Sequence, residues 1–249
     1  MCPIVMEKEY DIHYYEVDYK KRCKILSLMD YFEDIALLQS EGAGVGIDYL
    51  YGKGLLWVLY KWDINIKKYP KFGDRVKVIT IPNSLYKFYA YRKFEMQSAD
   101  GEIIASADSE WLLVKMDTKK PIRIPEPIYH AYNVDINCSD KLNIENLKAP
   151  EMADCEKLFE VRYSDIDTNM HVNNVKYVEW AMETVSQEIV KKYMLNRLLV
   201  TYKKETRYGE TIKAATSITE HDKGAVCSHS IVDMDGKELC LLKSIWTKE

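Results

Sequence analysis

No apolar run in this chain is long enough to cross a bilayer as a helix. No excess of either charge sign stands out. Lys and Arg number 35 against 39 Asp and Glu, a net of −4, which argues against a nucleic-acid surface. Cys-x-x-Cys is missing: Cys2, Cys23, Cys138, Cys155, Cys227 and Cys240 are scattered. That excludes the usual zinc and redox spacings and points to unpaired thiols in a reducing cytoplasm. The opening residues, Met1 to Glu7, lack the charged-then-apolar order of a signal peptide. A cytoplasmic location is therefore expected.

What is there suffices for a sizeable core. The 249 residues are 47% hydrophobic and 30% charged, enough for one large domain or two small ones. The 19 tyrosines are expected mostly to pack on sheets.

The chain also repeats itself. Tyr15-Glu16-Val17-Asp18-Tyr19 resembles Phe159-Glu160-Val161-Arg162-Tyr163. Phe72-Gly73-Asp74 resembles Tyr208-Gly209-Glu210. Asp100-Gly101 before Trp111 resembles Asp235-Gly236 before Trp246. Three matches in one order, at steps of 144, 136 and 135 residues, predict two copies of one fold.

Each copy reads as strand, helix, then several strands. Glu9 to Val17 is strand-like. Ser27 opens a helix whose stripe is Leu28, Phe32, Ile35 and Leu38. Lys157 to Ser164 is the matching strand. Asn173 or Asn174 caps one continuous helix faced by Val175, Val178, Met182, Val185 and Ile189. Asp100-Gly101 and Asp235-Gly236 are turn signals. The expected organisation is 1–116 as an N-terminal unit, 117–155 as a Pro-punctuated linker, and 156–249 as a C-terminal unit. One helix enclosed by an antiparallel sheet, twice over, is an α+β tandem (double) hotdog. Hotdog units usually pair, and a doubled chain can make that pair internally.

Asp165 to Tyr177 is the stretch densest in chemistry. Asp167, Asn169 and His171 stand at i, i+2 and i+4. In an extended segment that spacing aims all three to one side, and the helix behind them supplies N–H groups for an oxyanion. Taken singly each has an ordinary structural reading: an Asp or Asn before a helix is most often a cap, and Glu205 among lysines is most often solvated. The first copy carries neither Asn nor His between Val17 and Ser27, so one active site per chain is expected.

The string Asp167-Thr168-Asn169-Met170-His171-Val172-Asn173-Asn174-Val175-Lys176-Tyr177 resembles the acyl-acyl-carrier-protein thioesterases of plants and their bacterial relatives. So do Trp57 to Trp62, Tyr69 to Asp74, Ala105 to Trp111 and Tyr202 to Thr206. The resemblance implies hydrolysis of a fatty acyl-[acyl-carrier-protein] thioester, with Asp167, Asn169, His171 and Glu205 as the catalytic set. Plant members have a cysteine after the matching glutamate, where this chain has Thr206. No metal or organic cofactor is implied. The partner is an acyl carrier protein, with no nucleic acid and no membrane span; a homodimer is compatible. Substrate contacts are expected from Leu28, Phe32, Ile35, Leu38, Trp57, Leu59, Asn173 and Asn174.

The residues leave two routes open. Glu205 can serve as general base on water, or Asp167 can attack the carbonyl directly. Carrier proteins of this pathway are acidic, so a basic face would assist docking. Lys67, Lys68 and Lys71 form one candidate. Lys191, Lys192, Arg197, Lys203, Lys204 and Arg207 form the other. Rival functions are an acyl-coenzyme A thioesterase and a non-catalytic acyl sensor.

Overall fold

The computed structural model describes residues 3–138, 140–168 and 170–248. The chain divides into two compact units, 1–60 with 66–144, and 61–65 with 145–249. In the first, the strands are β1 (Met6–Asp11), β2 (Leu55–Ile66), β3 (Arg75–Tyr86), β4 (Tyr89–Ser98) and β5 (Ile103–Lys115), and the helices are α1 (Ile25–Gly42), α2 (Ile47–Gly52) and α3 (Glu126–Tyr132). Sheet order is β1-β3-β4-β5-β2. In the second, β6 (Cys155–Glu160), β7 (Met194–Tyr202), β8 (Thr211–His221), β9 (Gly224–Asp233) and β10 (Glu238–Thr247) accompany α4 (Asn174–Met182) and α5 (Gln187–Lys192). Their order is β7-β10-β9-β8-β6. Residues Lys61 to Asn65 of β2 pair with β7 and are counted in the second unit. Each unit is a hotdog.

The strands are cut by their pattern. In β3, Val76, Val78 and Thr80 are buried while Lys77, Ile79 and Ile81 are half-exposed, the period-two signature of a sheet with one packed face. The turns agree as well. Gly101 (φ 85°) and Gly236 (φ 79°) both adopt the left-handed conformation that a side chain resists. Their N–H groups donate to Ser98 (2.9 Å) and Asp233 (3.0 Å).

Helix α1 starts two residues before the expected Ser27 and has Lys24 as N-cap, without a side-chain cap. The Ser27 hydroxyl instead donates to the Glu16 carbonyl at 3.2 Å. Leu28, Phe32 and Ile35 are buried as expected, joined by Met29, Ala36 and Gln39. Leu38 turns outward at 36% exposed, because the buried stripe of a 3.6-residue period drifts to Ala36 and Gln39.

The second helix is not continuous. Thr184 Oγ1 donates to the Ala181 carbonyl at 2.6 Å, a local bond that competes with the helical ladder, and Ser186 caps α5 by accepting from Ile189 N. Val185 and Ile189 stay buried across the break. Expected strands Glu9 to Val17 and Lys157 to Ser164 end at Asp11 and Glu160. One-turn 3₁₀ helices follow, Tyr14–Glu16 and Tyr163–Asp165. The expected linker 117–155 carries α3, whose Ile128, Tyr129 and Tyr132 join the first unit's core with Leu55, Leu85 and Leu113. Its residues up to Ile144 group with that unit. No described helix is long and apolar enough to cross a membrane.

Candidate active site

The loop from Ile166 to Val172 is a closed turn rather than the extended segment expected. Ile166 and Val172 form a β-bridge. Asp167 N donates to the His171 carbonyl (2.8 Å) and Met170 N to the Asp167 carbonyl (3.1 Å). Met170 sits at φ 62°, a strained left-handed position for a side chain with a Cβ. The Asp167 carboxylate accepts from His171 N at 3.2 Å. Asn169 lies outside the described residues.

This turn points His171 at Glu205: His171 Nε2 lies 3.1 Å from Glu205 Oε1. A carboxylate only accepts, so the imidazole N–H donates. The two side chains are 19% and 36% exposed, open to a substrate yet partly shielded from solvent screening. β7 ends at Tyr202, and Glu205 stands in the loop beyond it. There Lys203 N and Lys204 N both donate to the Leu239 carbonyl (2.8 and 3.1 Å), and Val172 N donates to the Thr206 carbonyl at 3.3 Å. Thr206 is buried at 1% exposed. Its N–H donates to the Tyr177 hydroxyl at 3.1 Å and its Oγ1 donates to Glu210.

Of the expected oxyanion donors, Val172 N is occupied by Thr206, and Asn173 N by the Asp165 carbonyl at 2.8 Å. The Asn174 N–H has no protein partner among the described residues. Asn173 caps α4, accepting from Val175 N at 3.0 Å, and the Asn174 carbonyl accepts from the Tyr202 hydroxyl at 3.1 Å. In the first unit Leu28, Phe32, Ile35 and Leu59 are buried and Trp57 is half-buried.

Two residues carry structure that sequence reading missed. Asp165 is fully buried, accepting from Arg162 Nη2 at 3.0 Å and Arg162 N at 2.8 Å, with Lys176 Nζ 3.7 Å away. Burial alone would raise its carboxyl pKa. The Arg162 hydrogen bonds and the charges of Arg162 and Lys176 outweigh that and hold it below the usual range. Tyr177 is the other, its phenol pushed well above its ordinary value chiefly by burial. It packs edge-on against Trp180 (5.5 Å) and Tyr202 (5.8 Å). Tyr177 stood in the quoted string; its partner 29 residues away left no periodic signal.

The first copy keeps this backbone and changes its occupants. Val17 bridges Cys23 as Ile166 bridges Val172. Asp18 N donates to the Arg22 carbonyl (2.7 Å) and Lys21 N to the Asp18 carbonyl (2.9 Å). Lys21 sits at φ 60°, and Asp18 accepts from Arg22 N at 2.9 Å. Where His171 meets Glu205, Arg22 lies over the Tyr69 ring at 5.8 Å.

Residues 3–132 match the acyl-ACP thioesterase N-terminal domain and residues 148–248 its C-terminal domain. The chain belongs to the acyl-ACP thioesterase family. It is 25% identical over 266 residues to a palmitoyl-acyl carrier protein thioesterase of Arabidopsis thaliana, covering 99% of this chain and 65% of that protein. The chain thus spans about two thirds, or slightly less, of the curated relatives it matches. A solved putative oleoyl thioesterase from Lactobacillus plantarum superimposes with a TM-score of 0.91 at 25% identity, covering 99% of this chain and 97% of that one. The 12:0-ACP thioesterase of Umbellularia californica shares the fold at 0.87 and 23% identity, covering 98% and 94%.

Proposed function

We propose that this protein hydrolyses the thioester between a fatty acyl chain and acyl carrier protein, releasing free fatty acid and ending elongation. The observation that carries the reading is the 3.1 Å approach of His171 to Glu205, in a chain of this family. Glu205 takes a proton from water as the water oxygen adds to the carbonyl. The tetrahedral oxyanion then collapses, the C–S bond breaks, and the thiolate leaves with a proton relayed through His171. The Asn174 amide at the start of α4 is the backbone donor for the oxyanion, a role worth about 2.7–4 kcal/mol of barrier, alongside Asn169. Asp167 acts as orienter: its carboxylate accepts from the His171 backbone, which favours that role over direct attack.

The first unit binds the acyl chain, with Leu28, Phe32, Ile35, Trp57 and Leu59 as its contacts; the exposed Leu38 is left out. Asn173 supports the site as the cap of α4. The carrier protein docks on a basic face. In the second cluster Lys192, Lys203 and Lys204 already face Glu220, Glu238 and Asp233, and Arg197 faces Asp63. The thiols of Cys23, Cys138, Cys155, Cys227 and Cys240 are unbridged, which fits a reducing, cytoplasmic setting.

Thiol release from a ladder of acyl-carrier-protein substrates, run beside matched acyl-coenzyme A esters, tests the reading. Preference for the carrier esters supports it. Preference for coenzyme A esters, or binding without thiol release, overturns it.

A further inference from the structure

The two copies differ at a hydrogen bond that neither the fold nor the reaction scheme above accounts for. In both, backbone bonds tie the loop before the helix to the loop after a long strand: Cys23 N to the Pro70 carbonyl at 2.8 Å and Phe72 N to the Lys21 carbonyl at 3.1 Å in the first copy, and Val172 N to the Thr206 carbonyl at 3.3 Å in the second. The second copy adds a tie of a different kind, from Thr206 N to the side-chain hydroxyl of Tyr177. Counting from the first helical residue, Ile25 or Asn174, the place of Tyr177 is taken in the first copy by Leu28. The place of Thr206 is taken by Pro70.

Donor and acceptor have therefore gone together. Proline has no N–H and leucine has no oxygen. Either change alone would leave a buried polar group without a partner, which is destabilising; both together leave none. The first copy closes the same loop with backbone bonds, the Phe72 N–H on the Lys21 carbonyl among them, and no phenol. The copy that retains it is the copy that holds His171 and Glu205, and Thr206 follows Glu205 in the chain. No strand pairing fixes Glu205, because β7 has ended at Tyr202. The Tyr177 phenol holds the peptide N–H of Thr206, the residue next to Glu205 in the chain. The ring itself is fixed by Trp180 and Tyr202.

We propose that Tyr177 is a positioning residue: by accepting from the Thr206 amide it fixes the Glu205 carboxylate against His171. The inference rests on reading that pair as the reacting groups.

The test compares Tyr177→Phe, Glu205→Ala and the double variant on an acyl-carrier-protein substrate, with thermal melts alongside. Phenylalanine keeps the packing and removes only the oxygen. Tyr177→Phe is expected to lower kcat by roughly 10²-fold, the scale of an ångström-sized misplacement, with KM nearly unchanged. In the Glu205→Ala background the same change is expected to have no further effect, since the group it positions is gone. An undiminished kcat in Tyr177→Phe, or full additivity in the double variant, overturns the proposal. Glu205→Ala retaining full activity would instead bring down the reading of the pair itself. Should Tyr177→Phe melt early, replacing the residue-206 amide by an ester removes the donor in place of the acceptor. The same kcat loss supports the proposal; unchanged turnover rejects it.

Discussion

At the scale of single residues, the candidate site is two side chains brought together by two loops. Glu205→Gln keeps the shape and removes the base, and His171→Ala removes the relay. Each is expected to cost at least 10²-fold in kcat, measured as thiol release, with the melting temperature nearly unchanged. Wild-type turnover in either would remove that residue from the mechanism. Thr206 gives a contrasting expectation. Its hydroxyl donates to Glu210 and is buried, so it is turned to structure rather than to a carbonyl. Thr206→Ala should lower stability by about 1.5–3 kcal/mol, the worth of a bond to a charged acceptor, and leave kcat within a few-fold. A dead but fully stable variant would contradict this. His171 was legible because a dense string of polar residue types resembles a known family, and Glu205 because the short stretch Tyr202 to Thr206 does so too. The location of Glu205 beyond its strand, and the roles of Asp165 and Tyr177, were not. Those depend on partners distant in sequence, which no local period records.

At the scale of elements, a chain of hydrogen bonds pins the break between α4 and α5 to the sheet. Thr184 donates to the Ala181 carbonyl and meets Thr216; Thr216 meets His229 Nδ1 at 2.6 Å, and His229 Nε2 meets the Ser244 hydroxyl at 2.8 Å. Trp246 Nε1 donates to Ser244 at 2.9 Å. One orientation satisfies all of them: Nδ1 donates to Thr216, and Nε2 accepts from Ser244. The first copy repeats the Trp–Ser pair, Trp111 to Ser109 at 2.8 Å, and puts Phe94 opposite Thr80 where His229 faces Thr216. Burial lowers the His229 pKa to about 3. Below the ordinary value of 6.5 the unfolded chain binds a proton that the folded one refuses. Stability should therefore be flat above about 6.5 and fall as pH drops from there toward 3, by roughly 3–5 kcal/mol for this group. Urea midpoints across that window check it. His229→Phe, the first copy's residue, should flatten the slope, and an identical slope in both proteins would refute the assignment. The strands and turns were readable in advance because alternation and Asp-Gly pairs are local. The broken helix was not, since its apolar face runs on through Val185 and Ile189 and only Thr184 and Ser186 interrupt the backbone.

At the scale of the whole molecule, the repeat was visible in three short strings, and the structure extends it to individual backbone bonds. The stretch read as a linker was harder to place. Its prolines hid α3, whose Ile128 and Tyr132 are core residues of the first unit; a seven-residue helix carries too little periodicity to announce itself. The unlike occupants of a shared loop make one reacting centre per chain the expectation to test. Arg22→Ala, which removes the first copy's stack on Tyr69 and its ion pair with Asp18, should leave kcat within about twofold by the same thiol assay. A loss comparable to that of His171→Ala would mean that both copies take part in chemistry.

Pro70 and Leu28 also set the terms for exchanging the two loops. A lone change at either position toward the second copy's residue would strand a polar group in the interior. Grafting the second copy's arrangement onto the first therefore means altering Arg22, Tyr69, Leu28 and Pro70 together, a step no single substitution approaches.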